Sequence, residues 1–228
     1  MTDEAPRSAV VTGVSSGIGA AIAERLLREG WRVVGISRSA PAIAAEGFAH
    51  RRADLSDPAE LRTALEGLRP TALVHAAGLL RTGALGQLDA ADGEAMWRLH
   101  VAAAAALADL AVPNMPDGGR IVLIGSRTAT GAAGRSQYAA TKAALLGMAR
   151  SWAAELAPRG ITVNVVAPAA TETPMLRDPA RAGVPPRVPP IGRFIRPEEV
   201  AALTAFLLSD EAGAITGQGI TVCGGSSL

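Results

Sequence analysis

The sequence predicts an α/β fold: a single Rossmann-type domain over residues 1–228, with a doubly wound parallel sheet and helices on both faces. Three observations lead there. Short β-rich segments alternate with longer helical ones along the whole chain. A glycine cluster at residues 12–19 falls between the first strand and the first helix. The strand at 120–125 is a near-continuous apolar run, as a sheet covered on both faces requires.

The elements follow in order. Residues 8–11 read as a strand and 19–30 as a helix with Ile22, Leu26 and Leu27 on one face. Residues 32–36 form a second strand, ended by the polar Ser37-Arg38-Ser39, and 48–53 a weaker one. Helix 58–68 has Asp57 as its cap and Pro58 in its first turn. Ala72–His75 is a buried strand, 91–110 a helix and 120–125 a strand. The longest helix, 136–157, is closed by Pro158 and Gly160. Strand 161–166, helix Pro197–Leu208 (opened by a proline and two glutamates) and strand 220–223 complete the chain. There is no repeat and no linker.

Residues 168–197 stand apart, with Pro174, Pro179, Pro185, Pro186, Pro189 and Pro190 and no clear periodicity. Segments of this kind are either lids and binding loops or irregular surface connections. A position directly after a strand's carboxyl end favours a substrate lid, because ligands of open α/β sheets bind there.

Composition narrows the function. Apolar residues make up 49% of the chain but aromatic ones only 3%, so small side chains carry the core and let helices approach the sheet closely. A net charge of +1 gives no reason to expect a nucleic acid or an anionic membrane as partner. The single Cys223 excludes an intramolecular disulfide and suits a reducing compartment. Residues 1–7 carry Asp3 and Glu4 and do not read as a signal peptide. The longest apolar run, 101–112, is interrupted by Asp109 and reads as too short to cross a bilayer. The expectation is a soluble cytoplasmic protein without a metal.

Gly13, Ser15, Ser16, Gly17, Ile18 and Gly19 form the strand–turn–helix junction. Glycines there permit a tight turn and close approach of a pyrophosphate, which the helix N-terminus then meets with free N–H groups. A carboxylate about 20 residues further on would select NAD by binding the ribose hydroxyls. Here Ser37 and Arg38 stand at that place; a neutral serine does not repel a 2′-phosphate, and a guanidinium binds it. The cofactor expected is NADP(H) in preference to NAD(H), against the alternative that Arg38 is a solvated surface residue.

Tyr138 and Lys142 lie four residues apart, on one helix face, and Tyr138 is the only tyrosine. A free phenol has a pKa of about 10 and exchanges protons poorly at neutral pH. A nearby cation stabilises the phenolate and brings it into the working range. Alone, the pair would be an ordinary amphipathic spacing. Ser126, at the carboxyl end of strand 120–125, could orient a carbonyl toward it, although such a serine is often a cap or turn residue.

With these residues in place, the chain resembles the short-chain dehydrogenase/reductase family, including its 3-oxoacyl-thioester reductases. The resemblance rests on 12–19, Asp54-Leu55, Ala76-Ala77-Gly78, Ser126, Tyr138-x-x-x-Lys142, Asn164, Pro168-x-x-x-x-Thr173, 215–218 and Gly224-Gly225. It implies that Asp54 and Leu55 hold the adenine, that Ala76, Ala77 and Gly78 lie along the ribose, and that Ser126 holds the substrate oxygen. It implies Tyr138 as acid and base, Lys142 on the nicotinamide ribose, and Pro168, Thr171 and Thr173 near the nicotinamide carboxamide or phosphates. The chain departs from the family pattern at three places: His100 where an asparagine helps a proton relay, Ala169 for a glycine, and His75-Ala76 for paired asparagines. His100 either serves the relay as an imidazole or has left it.

The substrate expected is a small carbonyl compound or alcohol, with walls from Leu79, Leu80, Arg127, Thr128, Arg135, Met175 and Leu176. Arg127, Arg177, Arg181 and Arg187 could favour an acyl thioester or could simply be a solvated face; sugars, cyclic ketones and polyketide intermediates stay open. A non-catalytic dinucleotide-binding regulator, or an epimerase or dehydratase on the same scaffold, is the alternative to an oxidoreductase. The alanine-rich helices suggest close packing between subunits, and the resemblance implies a homotetramer, with a dimer as the smaller possibility.

Overall fold

A computed structural model describes residues 7–178 and 184–228. The readings of residues 1–6, Pro179 and Arg181 lie outside the described residues. The expected sheet is present, with seven parallel strands in the order β3-β2-β1-β4-β5-β6-β7. The strands are β1 (Ser8–Thr12), β2 (Arg32–Ser37), β3 (Phe48–Arg52), β4 (Ala72–His75), β5 (Arg120–Ile124), β6 (Thr162–Pro168) and β7 (Gly219–Val222). The helices are α1 (Gly17–Arg28), α2 (Pro58–Leu65), α3 (Ala90–Trp97), α4 (Ala103–Ala111), α5 (Ser136–Leu156) and α6 (Pro197–Leu208).

Alternation along each strand divides the core in two. Val10, Leu73, Ile121 and Leu123 face α2, α4 and α5, packing with Leu61, Leu107 and Leu145. Their neighbours Ala9, Val11, Val74 and Val122 face α1 and α6, packing with Ile22, Leu26 and Val200. Every central strand is therefore apolar on both sides, which is why these segments read as continuous runs.

Several boundaries shift. Helix α1 begins at Gly17, two residues before the expected start, and β6 continues to Pro168. The helix expected over 91–110 is split by a π-helical turn, Arg98–Ala102. No proline or glycine marks that turn, so periodicity alone reads straight through it. The helical run as a whole, Ala90–Asn114, of which 101–112 is only a part, is long and apolar enough by length and composition to cross a membrane. It is packed against the sheet through Leu107, Ala108 and Ala111.

β1 pairs with β2 on one side and β4 on the other, so the winding reverses there and the loops after β1 and β4 diverge into a crevice. Gly13 turns the chain at the mouth of that crevice with φ 74°, and a β-carbon on it would lie 2.8 Å from Ala77. One on Gly19 would lie 2.3 Å from the Gly13 carbonyl oxygen. Only glycine fits either position.

Asp57 caps α2 as expected, its carboxylate accepting from the N–H groups of Ala59 (2.8 Å) and Glu60 (3.2 Å). Asp57→Ala should destabilise the fold by about 1 kcal/mol and lower Tm by about 2–4 °C. A thermal melt of the variant superimposing on that of the parent would count against the cap.

Candidate active site

Two connected spaces open at the carboxyl ends of the strands. A trough is lined by Gly13, Ser15, Ser16, Gly17, Ile18 and Gly19 at the turn, Ser37 and Arg38 after β2, Asp54 and Leu55 after β3, and Ala76, Ala77 and Gly78 after β4. A cavity of about 640 Å³ adjoins it, with Ser126, Tyr138, Lys142, His100, Pro168, Thr171 and Thr173 on its wall. Ile18, Ala76, Gly78, Leu79, Thr173 and Met175 line both, so the trough and the cavity are continuous. All the residues singled out in the sequence for cofactor or catalysis thus border one connected space.

The trough has the shape and donors for a dinucleotide. Gly13 and Gly19 keep its floor clear of side chains, and the helix behind it starts at Gly17 with the Ser16 side chain making no capping bond. Some side chains are more committed than the sequence suggested. The Ser37 hydroxyl donates to Ser39 O (2.8 Å) and accepts from His50 Nε2 (3.1 Å). The Asp54 carboxylate accepts the Ser56 N–H at 2.9 Å. Ser39, read in the sequence only as part of the polar end of the second strand, lines the trough beside Arg38.

In the cavity, β5 ends at Ile124 and turns through Ser126, whose hydroxyl oxygen accepts the Thr128 N–H at 3.1 Å. The cap role and the cavity position are therefore compatible: one lone pair is used by the turn while the O–H can still donate. Tyr138 and Lys142 come from the first turns of α5, both buried, with Lys142 Nζ 5.8 Å from the phenol ring centroid. Lys142 Nζ donates to Ile124 O at 2.9 Å, which anchors the ammonium to the end of β5. Burial lowers its pKa from 10.5 to about 7.

The two histidines are fully engaged, and the network fixes their tautomers. Thr12 Oγ1 accepts from the N–H groups of Ala76 and Ala77, both at 3.1 Å, so its hydrogen goes to His75 Nδ1 at 3.0 Å. His75 Nε2–H then donates to Leu99 O, also at 3.0 Å. His100 Nε2 accepts the Leu79 N–H at 3.0 Å, so Nδ1–H donates to Thr141 Oγ1 at 2.8 Å. Thr141 in turn donates to Tyr138 O at 2.8 Å. Burial first, and then Lys142, push the pKa of His75 down to about 3 and that of His100 well below 6.5. Both ring nitrogens of His100 are thus engaged, one by the Leu79 amide and the other by Thr141.

All seven expected wall residues border the cavity, together with Val184, Pro185, Pro186, Arg187 and Val188. Arg127, Arg135 and Arg187 are on the wall, whereas Arg177 is not. Thr141 was missed in the sequence, although its position one residue before Lys142 and three after Tyr138 puts it on the same helix face. Asn164 is structural: its amide donates to Ile215 O (2.7 Å) and its oxygen accepts the Gln218 N–H (3.1 Å).

Comparison with known proteins is consistent with this geometry. The family model described as enoyl-(acyl carrier protein) reductase matches residues 13–227. The 3-oxoacyl-[acyl-carrier-protein] reductase FabG of Salmonella typhimurium is 39% identical over 95% of this chain and 96% of its own. The (2S)-[(R)-hydroxy(phenyl)methyl]succinyl-CoA dehydrogenase subunit BbsD of Thauera aromatica is 34% identical over 97% of each chain. A short chain dehydrogenase from Burkholderia cenocepacia J2315, solved in complex with NADP, superimposes with a TM-score of 0.85 at 35% identity, covering 97% of this chain and 98% of that one.

A lysine at about 7 in the fold against 10.5 in the open chain destabilises the protein wherever the open-chain lysine is charged. That cost is complete below pH 7, shrinks as pH rises from 7 to 10.5 and is absent above. Lys142→Met should therefore raise the Tm of the cofactor-free protein at about pH 6, with a gain that narrows toward about pH 9. A gain constant across that range would show that the charge is not its source.

Proposed function

The chain belongs to the short-chain dehydrogenase/reductase family of oxidoreductases, and we propose that it is an NADP(H)-preferring member interconverting a ketone and a secondary alcohol on a 3-oxoacyl thioester. The observation that carries this reading is the convergence of Ser126, Tyr138 and Lys142 on a cavity continuous with the glycine-turn trough.

When bound, the dinucleotide supplies or takes up the hydride. Gly13, Ser15, Ser16, Gly17, Ile18 and Gly19 hold its pyrophosphate. Arg38, with Ser37 shaping the turn, binds the 2′-phosphate; Asp54 and Leu55 hold the adenine. Ala76, Ala77 and Gly78 border the ribose, and Pro168, Thr171 and Thr173 the nicotinamide end. Ser126 donates its O–H to the substrate carbonyl oxygen, since its other side already accepts the Thr128 amide. Tyr138 gives its phenol proton to that oxygen in reduction and withdraws it in oxidation. Lys142 would donate to the nicotinamide ribose from the same ammonium that Ile124 O anchors, and its charge stabilises the phenolate.

The thioester reading is supported by Arg127, Arg135 and Arg187 on the wall. It is also supported by relatives named for acyl-carrier-protein and CoA substrates. Residues 168–197 serve as the substrate lid within a single domain of residues 1–228. The protein works as a soluble cytoplasmic homotetramer or dimer; Trp97 and Phe206, 50% and 41% exposed, support apolar contact faces on α3 and α6.

The test is a panel of 3-oxoacyl and 2-enoyl thioesters, sugars and cyclic ketones, each run with NADPH and NADH. Fastest NADPH-dependent turnover is expected on the 3-oxoacyl thioester. Faster reduction of the enoyl thioester would move the activity to carbon–carbon double bonds. Dinucleotide binding without turnover across the panel would make the protein a regulator, and product without net cofactor oxidation an epimerase or dehydratase. Tyr138→Phe should lower kcat by about 10²–10⁴-fold while NADPH still binds. Arg38→Leu should weaken NADPH by about 10–100-fold, the loss of a charge-assisted contact, and leave NADH nearly unchanged. Equal losses for both nucleotides would remove the 2′-phosphate role.

A further inference from the structure

Resting on the reading above, we propose that His100 is a positioning residue: with His75 it forms a neutral two-imidazole brace that sets the loop after β4 against the Tyr138–Lys142 face of α5. The polarity of the network leaves no freedom in how the brace is built. Leu79 N–H can only donate, so His100 Nε2 must accept, and Nδ1–H must reach Thr141. Thr141 passes the restraint to the Tyr138 carbonyl, in the turn of α5 that carries both the phenol and, one residue on, Lys142. His100 thus links a residue lining both the trough and the cavity, Leu79, to the helix that presents the acid.

The second imidazole holds the first in place. His100 sits in the π-helical turn Arg98–Ala102, and the carbonyl just before it, Leu99 O, is held by His75 Nε2–H. His75 in turn takes the Thr12 hydroxyl, the group that gathers the Ala76 and Ala77 amides. The brace therefore begins at the end of β1, runs through the loop after β4 and ends on α5. His100 also stands edge-on to the Tyr138 ring, with centroids 5.6 Å apart and planes at 86°.

Only neutral rings fit. A proton on His100 Nε2 would face the Leu79 N–H, and one on His75 Nδ1 would face a hydroxyl whose acceptor sites are already taken by two amides. The ionisable groups around the pair, Lys142 and Tyr138, give a cation no compensation: Lys142 repels it, and Tyr138 meets His100 with its ring. Rings kept neutral in the fold but free to protonate in the open chain make the fold less stable as pH falls below the ordinary histidine value, so the brace adds a loss of Tm on the acid side only. An amide side chain offers the same acceptor-and-donor pair without titrating in that range.

The experiment compares the parent with His100→Asn, His100→Gln, His100→Phe and Thr141→Val. It reads kcat and KM, hydrogen exchange at the Leu79 amide in the cofactor-free protein, and Tm of that protein between about pH 7 and pH 4. His100→Phe and Thr141→Val should lower kcat roughly 10–100-fold with KM within about threefold, and His100→Phe should speed Leu79 exchange. At least one amide variant should recover kcat to within about tenfold of the parent and show a shallower acid loss of Tm. If both amide variants are as inactive as His100→Phe with their melts intact, the imidazole carries protons and the positioning role fails. Parent-like kcat and Leu79 exchange in His100→Phe would also overturn it. Exchange and acid melting need no substrate, so they report on the brace even if the parent proves inactive on every thioester.

Discussion

In a parallel sheet all strands deliver their carboxyl ends to the same edge, and here the winding reverses between β1 and β4. Those two facts place the candidate chemistry. The loops after β1 and β4 must part, because one chain leaves toward α1 and the other leads on to α4 on the opposite face. The crevice they leave is floored by backbone rather than side chains, since Gly13 and Gly19 approach their neighbours too closely for a β-carbon. Ser126 arrives at the same edge on β5, and α5 brings Tyr138 and Lys142 alongside it.

Much of this was legible in the sequence because it is local. Asp57 before Pro58 is a capping pattern that needs no tertiary knowledge, and the structure keeps it. The glycine turn and the four-residue spacing of Tyr138 and Lys142 carry their geometry with them. What escaped was held from a distance. The π turn at Arg98–Ala102 lies in an alanine-rich stretch with no local breaker, and one of its carbonyls is tied to His75 on another strand. In the sequence Ser37 reads only as a neutral neighbour of Arg38, yet its hydroxyl is engaged by Ser39 O and by His50, thirteen residues away on β3. The run through residues 101–112 looked short because Asp109 interrupts its pattern, whereas continuous helix on either side makes the whole span long.

Burial works against stability at the centre of the site. Lys142 sits where an ammonium is poorly solvated, with Ile124 O as its anchoring acceptor, and its pKa falls to about 7 as a result. The same burial brings its ionisation into the range of neutral chemistry, which an exposed lysine would not reach. His75 and His100 surround it with neutral polar groups that are hydrogen-bonded throughout, so the interior is polar without adding a second charge. The arrangement trades some folding free energy for a titrating group near Tyr138.

Thr12 has both acceptor sites on consecutive amides, Ala76 and Ala77, and its hydrogen on His75. The glycine turn and the loop after β4 are thereby fastened into one block. The part of the cavity lining formed by Arg127 and by Val184 to Val188 shares none of those bonds. Side chains can be exchanged there without disturbing the block. A scaffold fastened in this way can change what it grips while leaving untouched how it grips, so its selectivity can drift independently of its chemistry.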